Sequence, residues 1–395
     1  MITILSKTAC CGCSACAQCC PKGCITMIDD SEGFLYPLVD KENCIDCHIC
    51  ENVCPLLKSN SPHEPLLTYA AINKDEKTRQ SSSSGGIFSL LAEKIILNNG
   101  IVFGAKFDDD FQVCHDFADT IAGIVEFRGS KYVQSKIGEA YKKCENFLKA
   151  RRQVLFSGTP CQIGGLKHFL RKDYDNLFTV DVVCHGVPSP KVWHRYLKEI
   201  VGTKRILNCS MRNKENGWKR YNFTLDYGDM QDMHRLSSWH HENVFMEAFL
   251  KNMILRPSCY NCRFRNFRSH SDITIADFWG VQKIIPEMDD DRGTSLVMVN
   301  TEKGCNILPT DGVCIVETSF VNGLRSNPSI AYNHKPWPRR EKFFNTLDDS
   351  ASVIDLIREM LKPTFLMQIK NVAHRIVSLL MRVVYSILKK QNIEK

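Results

Sequence analysis

The chain has 395 residues, 44% of them hydrophobic, and its 51 Lys and Arg against 44 Asp and Glu give a formal charge of +7. That length suits two or three domains with ordinary cores. A net +6 falls within residues 362–395, so the rest is near neutral and lacks the basic body and reading motif of a nucleic-acid-binding protein. Twenty cysteines would suggest disulfides in a small secreted chain. The start MITILSKTACCGC has no long apolar run and no small-residue cleavage site, so the expectation is free thiols in a reducing cytoplasm.

Residues 1–57 carry one cysteine pattern twice. Cys10, Cys13, Cys16 and Cys20 precede Pro21, and Cys44, Cys47, Cys50 and Cys54 precede Pro55. Both runs read C-x2-C-x2-C-x3-C-P, the spacing that wraps three corners of a 4Fe–4S cubane and sends the fourth thiolate to a neighbouring cluster. The expected ligand sets are therefore Cys10, Cys13, Cys16 and Cys54 for one cluster, and Cys44, Cys47, Cys50 and Cys20 for the other. Structural zinc also takes four thiolates, but it usually pairs two separated C-x2-C knuckles. Between the runs, CITMIDDSEGFLYPLVD reads as a β-hairpin turning at Asp30–Gly33, and short helices carry the cysteine ends. Two adjacent low-potential centres imply electron transfer.

A polar linker at 58–65, KSNSPHEP, leads into a body read in two parts, 66–150 and 151–345, with a helical basic tail at 346–395. Helices are expected at 87–97, 137–149, 166–170, 190–200 and 240–253. Strands are expected at 101–107, 154–156, 177–183, 223–227, 273–276 and 295–299. The fold class is thus α+β or α/β: a two-cluster ferredoxin-like module, a mixed α/β catalytic body with some parallel sheet, and a C-terminal amphipathic helix. In residues 364–390 a narrow polar stripe runs along a wide apolar face. Its expected occupants are the protein body, a partner, or an anionic membrane surface at the cytoplasmic side, since it is too short to span a bilayer.

Four body cysteines stand out by position. Cys161 and Cys184 each follow a strand, and Cys259 and Cys262 form a C-x2-C knuckle ahead of the strand DITIADFWG. Residues beyond strand carboxyl ends collect on one sheet edge, where ligands bind. The pattern leaves two readings open, a further 4Fe–4S cluster or ordinary buried thiols. SSSSGG at 81–86 opens a helix and suits an anion cradle, with a serine linker capped by Ser84 as the alternative. Arg128-Gly129-Ser130-Lys131-Tyr132 is a second candidate phosphate loop.

In order, SSSSGGIFS, FRGSKYVQS, VLFSGTPCQIGGLK, VDVVCHGVPSP, SCYNC and DITIADFWG resemble the coenzyme F-420 hydrogenase/dehydrogenase β-subunit family over roughly residues 66–300. The resemblance implies an iron–sulfur flavoprotein oxidoreductase that binds FAD. It implies that Cys161, Cys184, Cys259 and Cys262 hold an additional cluster. Ser82, Ser83, Ser84, Gly85, Gly86, Gly129, Ser130, Lys131, Tyr132, Gln134, Gly158, Thr159 and Pro160 match the flavin-side loops. Candidate proton donors beside a flavin are Lys131, Tyr132, His185 and Asp277. Ala276 departs from the glycine usual in the family before its Asp-Phe-Trp-Gly run. The implied partners are a redox protein, such as a ferredoxin or oxidoreductase subunit, and a small-molecule or deazaflavin-like acceptor. The alternative function is an electron carrier with no substrate chemistry of its own, docking on a partner enzyme.

Overall fold

The computed structural model describes residues 1–58, 60–229, 231–363 and 381. The expected helix over 364–390 lies outside these, apart from the single residue Met381.

The N-terminal module is a hairpin of β1 (Ile25–Asp29) and β2 (Leu35–Val39), paired antiparallel and flanked by helices Ala15–Cys19 and Ile49–Asn52. The repeat is visible in the backbone. Ser14, after Cys13, and His48, after Cys47, both take left-handed φ values, 62° and 58°, at the start of these helices. A non-glycine residue there costs about 1–2 kcal/mol, so the same bend placed twice marks a geometry the loop was selected to hold.

The body contains β3 (Leu67–Asn73), β4 (Ile101–Phe107), β5 (Val113–Ala118), β6 (Val154–Gly158), β7 (Leu177–Val182), β8 (Ile206–Asn213), β9 (Asn222–Gly228), β10 (Met233–Trp239), β11 (Ile273–Asp277), β12 (Ser295–Val299) and β13 (Val313–Glu317). Eight of them form one sheet in the order β13-β3-β12-β11-β7-β6-β4-β5. Its centre, β4-β6-β7-β11, is parallel, whereas β5, β12, β3 and β13 pair antiparallel. The fold is therefore mixed α/β with a parallel core.

Both faces of the sheet centre are buried, which explains its unbroken apolar runs. Ile101, Phe103, Val154 and Phe156 pack with helices Ala140–Lys149 and Pro160–Leu170. The alternate residues Val102 and Leu155 pack with helix Ile87–Leu97 on the opposite face. A separate antiparallel sheet, β10-β9-β8, packs Phe223 and Leu225 against helices Pro190–Val201, Val244–Leu250 and Val353–Leu361, around the fully buried Trp193.

The module is docked onto the body by Arg256, whose side chain is fully buried. Its Nε donates to the Cys10 carbonyl (2.9 Å), Nη2 to the Leu35 carbonyl (2.9 Å) and Nη1 to Gln134 Oε1 (3.0 Å). The guanidinium lies 4.2 Å from the Tyr36 ring centroid. Gln134 completes the joint by donating to the Cys11 carbonyl at 3.0 Å.

Candidate cofactor chamber and thiol sets

The thiols fall into three neighbourhoods. In the first, Cys16 is pushed up by burial and by the neighbouring Cys10 and Cys54, and Cys13 lies close to Cys16 and Cys10. In the second, Cys20, Cys44, Cys47 and Cys50 all line one small hollow, together with Cys24. The residues expected to share a cluster thus lie near one another, with Cys24 added to the second set. The third joins residues far apart in sequence. Burial raises the Cys184 thiol, and Cys259, Cys161 and Cys262 add to the shift. Cys259 is pushed up to about 12 by burial and by Cys262. Thiols crowded out of water in this way favour a cationic centre that takes their protons' place.

Among the described residues, no three His, Cys, Asp or Glu side chains stand at the spacing of a single metal ion. A zinc ion draws its sulfurs onto one atom, whereas a cubane spreads them over four iron corners.

Cys11, absent from the expected ligand sets, stands between two neighbourhoods. Its thiol interacts with both Cys13 and Cys161. Nearby, helix Pro160–Leu170 presents Gly165 to the first cysteine loop, where an added Cβ would come within 2.8 Å of Cys13 Cβ and of the Tyr141 hydroxyl. The small residue lets the two thiol-bearing segments touch. Adjacent cysteines in ACCGC hint at Cys11, but only the fold shows what it meets.

Of the third thiol set, Cys184 lines a cavity of about 640 Å³ at the carboxyl-end edge of the parallel strands. Its walls include Ser157 and Gly158 ending β6, Val182 ending β7 with Val183 to His185 beyond it, and Ile275 to Asp277 ending β11. Ser82, Ser83, Ser84, Gly86, Gly129, Ser130, Lys131, Tyr132, Gly158, Thr159, His185 and Asp277 all face it, as does Ala276. Gly85, Gln134 and Pro160 do not. Gly85 packs against the backbone of β3 and β12, Gln134 serves the Arg256 joint, and Pro160 opens a helix inside a Thr159–Gln162 capping box.

The two candidate phosphate loops meet. Ser83 Oγ accepts from the Ser130 amide (2.6 Å) and the Ser130 hydroxyl (2.8 Å). Ser84 does not cap the next helix; its hydroxyl donates to the Thr294 carbonyl at 2.9 Å. The N-cap is Gly86 (φ 82°), which supplies no side-chain cap, and Gly86, Ile87 and Phe88 line the cavity. A helix start of this kind suits an anion. Burial lowers Lys131 to about 8, and its ammonium donates to the carbonyls of Arg128 (3.0 Å) and Gly129 (3.3 Å). Tyr132 stacks on Phe249 with centroids 4.6 Å apart.

Burial, with a contribution from His334, lowers His185 to about 4, and its Nε2 lies 2.6 Å from Asn252 Oδ1. It is therefore neutral near pH 7 and held in place, a poor proton donor. Asp277 is ion-paired with Arg212 and accepts from Trp218 Nε1 at 3.0 Å. His115, not singled out in the sequence, also lines the cavity. Its ring is held by Ser135 Oγ (2.7 Å) and the Ser157 carbonyl (3.0 Å), and burial lowers it to about 4.

Residues 151–313 match the family model for the C-terminal part of the coenzyme F-420 hydrogenase/dehydrogenase beta subunit. Residues 35–56, which contain the second cysteine run, match a 4Fe–4S binding domain. No curated protein matches the chain. Among solved structures, the xenon-derivatised F-420-reducing NiFe hydrogenase complex from Methanosarcina barkeri aligns at 16% identity and a TM-score of 0.43, covering 75% of this chain and 91% of that one. Residues 151–313 are thus similar to the C-terminal part of the coenzyme F-420 hydrogenase/dehydrogenase beta subunit, with a 4Fe–4S binding-domain match at residues 35–56 ahead of that region.

Proposed function

We propose that this protein is an iron–sulfur flavoprotein oxidoreductase working in a reducing compartment. In this reading, electrons pass between the two N-terminal cysteine runs, the thiol set at Cys161, Cys184, Cys259 and Cys262, and an organic acceptor in the cavity. The observation that carries it is the position of Cys184, which belongs both to the third thiol set and to the cavity wall. One-electron carriers and a substrate chamber then share a boundary.

The donor chemistry fits three 4Fe–4S clusters, and the cavity fits FAD by volume and by its paired serine and glycine loops. A flavin bound there supplies the exchange between single electrons and hydride transfer. The chain's own residues orient and shield. Ser83, Ser130 and the amides at Gly86–Phe88 would hold phosphate oxygens of such a flavin, and Lys131 would add positive charge. Tyr132, backed by Phe249, offers a flat wall. Neutral His185 and His115 set polarity without donating protons readily at pH 7. Lys131, titrating near 8, is a better placed proton source than either imidazole.

A redox protein docking near the N-terminal module is the expected electron partner. The test is a Cys184→Ser variant. Rapid mixing with a one-electron reductant should still bleach the N-terminal centres, while reduction of bound FAD slows severely. If flavin reduction is as fast as in the parent, the third thiol set is not on the path. If the parent binds neither FAD nor FMN with its clusters in place, the electron-carrier alternative replaces this reading.

A further inference from the structure

Arg212, on β8, is the cavity-lining residue whose bonding is least complete. Its side chain is 4% exposed, and Nη1 pairs with the Asp277 carboxylate. Nε and Nη2 are buried and find no partner among the described residues. Of the buried side-chain atoms left without such a partner, only these belong to a residue that lines the cavity. Burying guanidinium donors with nothing to receive them is costly, so a site that keeps them must gain from it elsewhere.

The surroundings fix the chemistry of what they await. The guanidinium carbon lies 4.4 Å from the Tyr221 centroid and 5.2 Å from that of Trp279, which hold the fork flat and stop it swinging. Burial opposes its charge, but the Asp277 carboxylate more than offsets this, so Arg212 stays protonated. Its two free N–H groups lie along one edge of the fork, the arrangement that donates to two oxygens of one carboxylate or phosphate. Lys219 and His240 line the same chamber.

We propose that the free Nε–Nη2 edge of Arg212 receives an oxyanion, carboxylate or phosphate, carried by the molecule that occupies the cavity. The inference rests on reading the cavity as the cofactor and substrate chamber. It names two sources for the anion: the diphosphate of FAD, or an acidic group on the substrate.

The test uses the full chain with its clusters reconstituted anaerobically, titrated calorimetrically with inorganic pyrophosphate, FAD and riboflavin. Flavin-free parent protein should bind pyrophosphate saturably, and Arg212→Gln should bind it about tenfold or more weakly. Riboflavin, which has no phosphate, should bind both alike. If FAD blocks pyrophosphate, and Arg212→Gln weakens FAD but not riboflavin, the anion is the flavin's own. If FAD-loaded protein still takes pyrophosphate and FAD affinity is unchanged in the variant, the anion belongs to the substrate. Should Arg212→Gln fail to fold, Arg212→Lys keeps a cation beside Asp277 but lacks the fork, and it should still lose most of the pyrophosphate affinity. Equal pyrophosphate binding in parent and variants, or none in any, overturns the proposal. Failure of the parent to bind any flavin would overturn the flavin reading alone, because the pyrophosphate arm decides Arg212 independently.

Discussion

The two kinds of cysteine set in this chain are held by different means. In the N-terminal module, neighbours in space are mostly neighbours in sequence, and the loops that carry them depend on short helices and two left-handed bends at Ser14 and His48. In the body, Cys161, Cys184, Cys259 and Cys262 are brought together by a sheet, its crossovers and their helices, with or without anything between the sulfurs. A local loop draws its shape from the centre it binds, whereas a sheet edge imposes its shape on the centre. The module should therefore fail first when iron is lost.

The largest effect follows directly. Stripping iron from the reconstituted protein with a chelator should unfold residues 1–57, because so small a unit has little core of its own. The body should keep a cooperative melt. Limited proteolysis should then cut within 1–65 and leave the remainder intact; simultaneous loss of both parts would break the distinction.

Arg256→Ala tests the joint between the two regions. It leaves the part-buried carbonyls of Cys10 and Leu35 and the buried side-chain oxygen of Gln134 without their donor. At about 1–3 kcal/mol for each unsatisfied group, the docked state should lose several kcal/mol. Hydrogen exchange should rise across the module while β4, β6 and β7 stay protected.

Gly165→Val probes the contact between the thiol-bearing segments. Its new Cβ would meet Cys13 and Tyr141 at 2.8 Å, so overpacking should cost about 1–3 kcal/mol in chemical denaturation. By contrast Gly23, in the module, has nothing within 4 Å of an added Cβ, and Gly23→Asn, which tolerates its φ of 61°, should be nearly neutral. Similar costs at both positions would remove the special status of Gly165.

The smallest effect concerns pH. Lys131 is lowered to about 8, so it is charged at pH 7 and loses its proton as pH rises through 8. The charged form attracts phosphate, so FAD affinity should fall modestly between pH 7 and 9 while riboflavin affinity stays flat. Lys131→Gln should abolish the difference. Because the folded value lies below that of an unfolded lysine, this group makes stability rise with pH between about 8 and 10.5.

Legibility in the sequence divides along the same line. The spans of β4, β12 and helix Ile87–Leu97 stand as expected, because each is dominated by apolar residues. Helix Pro160–Leu170 is longer than expected, since Gly164 and Gly165 weaken its pattern while a Thr159 capping box and Pro160 start it. The helix expected from His240 begins only at Val244, where the Asn243 side chain accepts from the Met246 amide at 3.0 Å. β5 escapes a reading by pattern, because Cys114, His115 and Asp116 interrupt its apolar residues. The double cysteine run is legible by spacing alone, and the cavity loops by resemblance. Arg212, His115 and Cys11 are not, because each gains its meaning from partners on other elements that only the fold brings alongside.

The central claim is that three thiol neighbourhoods hold 4Fe–4S clusters beside a flavin chamber. Anaerobic reconstitution, with metal, sulfide and flavin counted per chain and the visible spectrum recorded, tests it most directly. The account predicts about twelve iron and twelve sulfide as three cubanes, with about one FAD, and a spectrum that bleaches on reduction. About two or three zinc ions with no labile sulfide, and no flavin taken up, would contradict it.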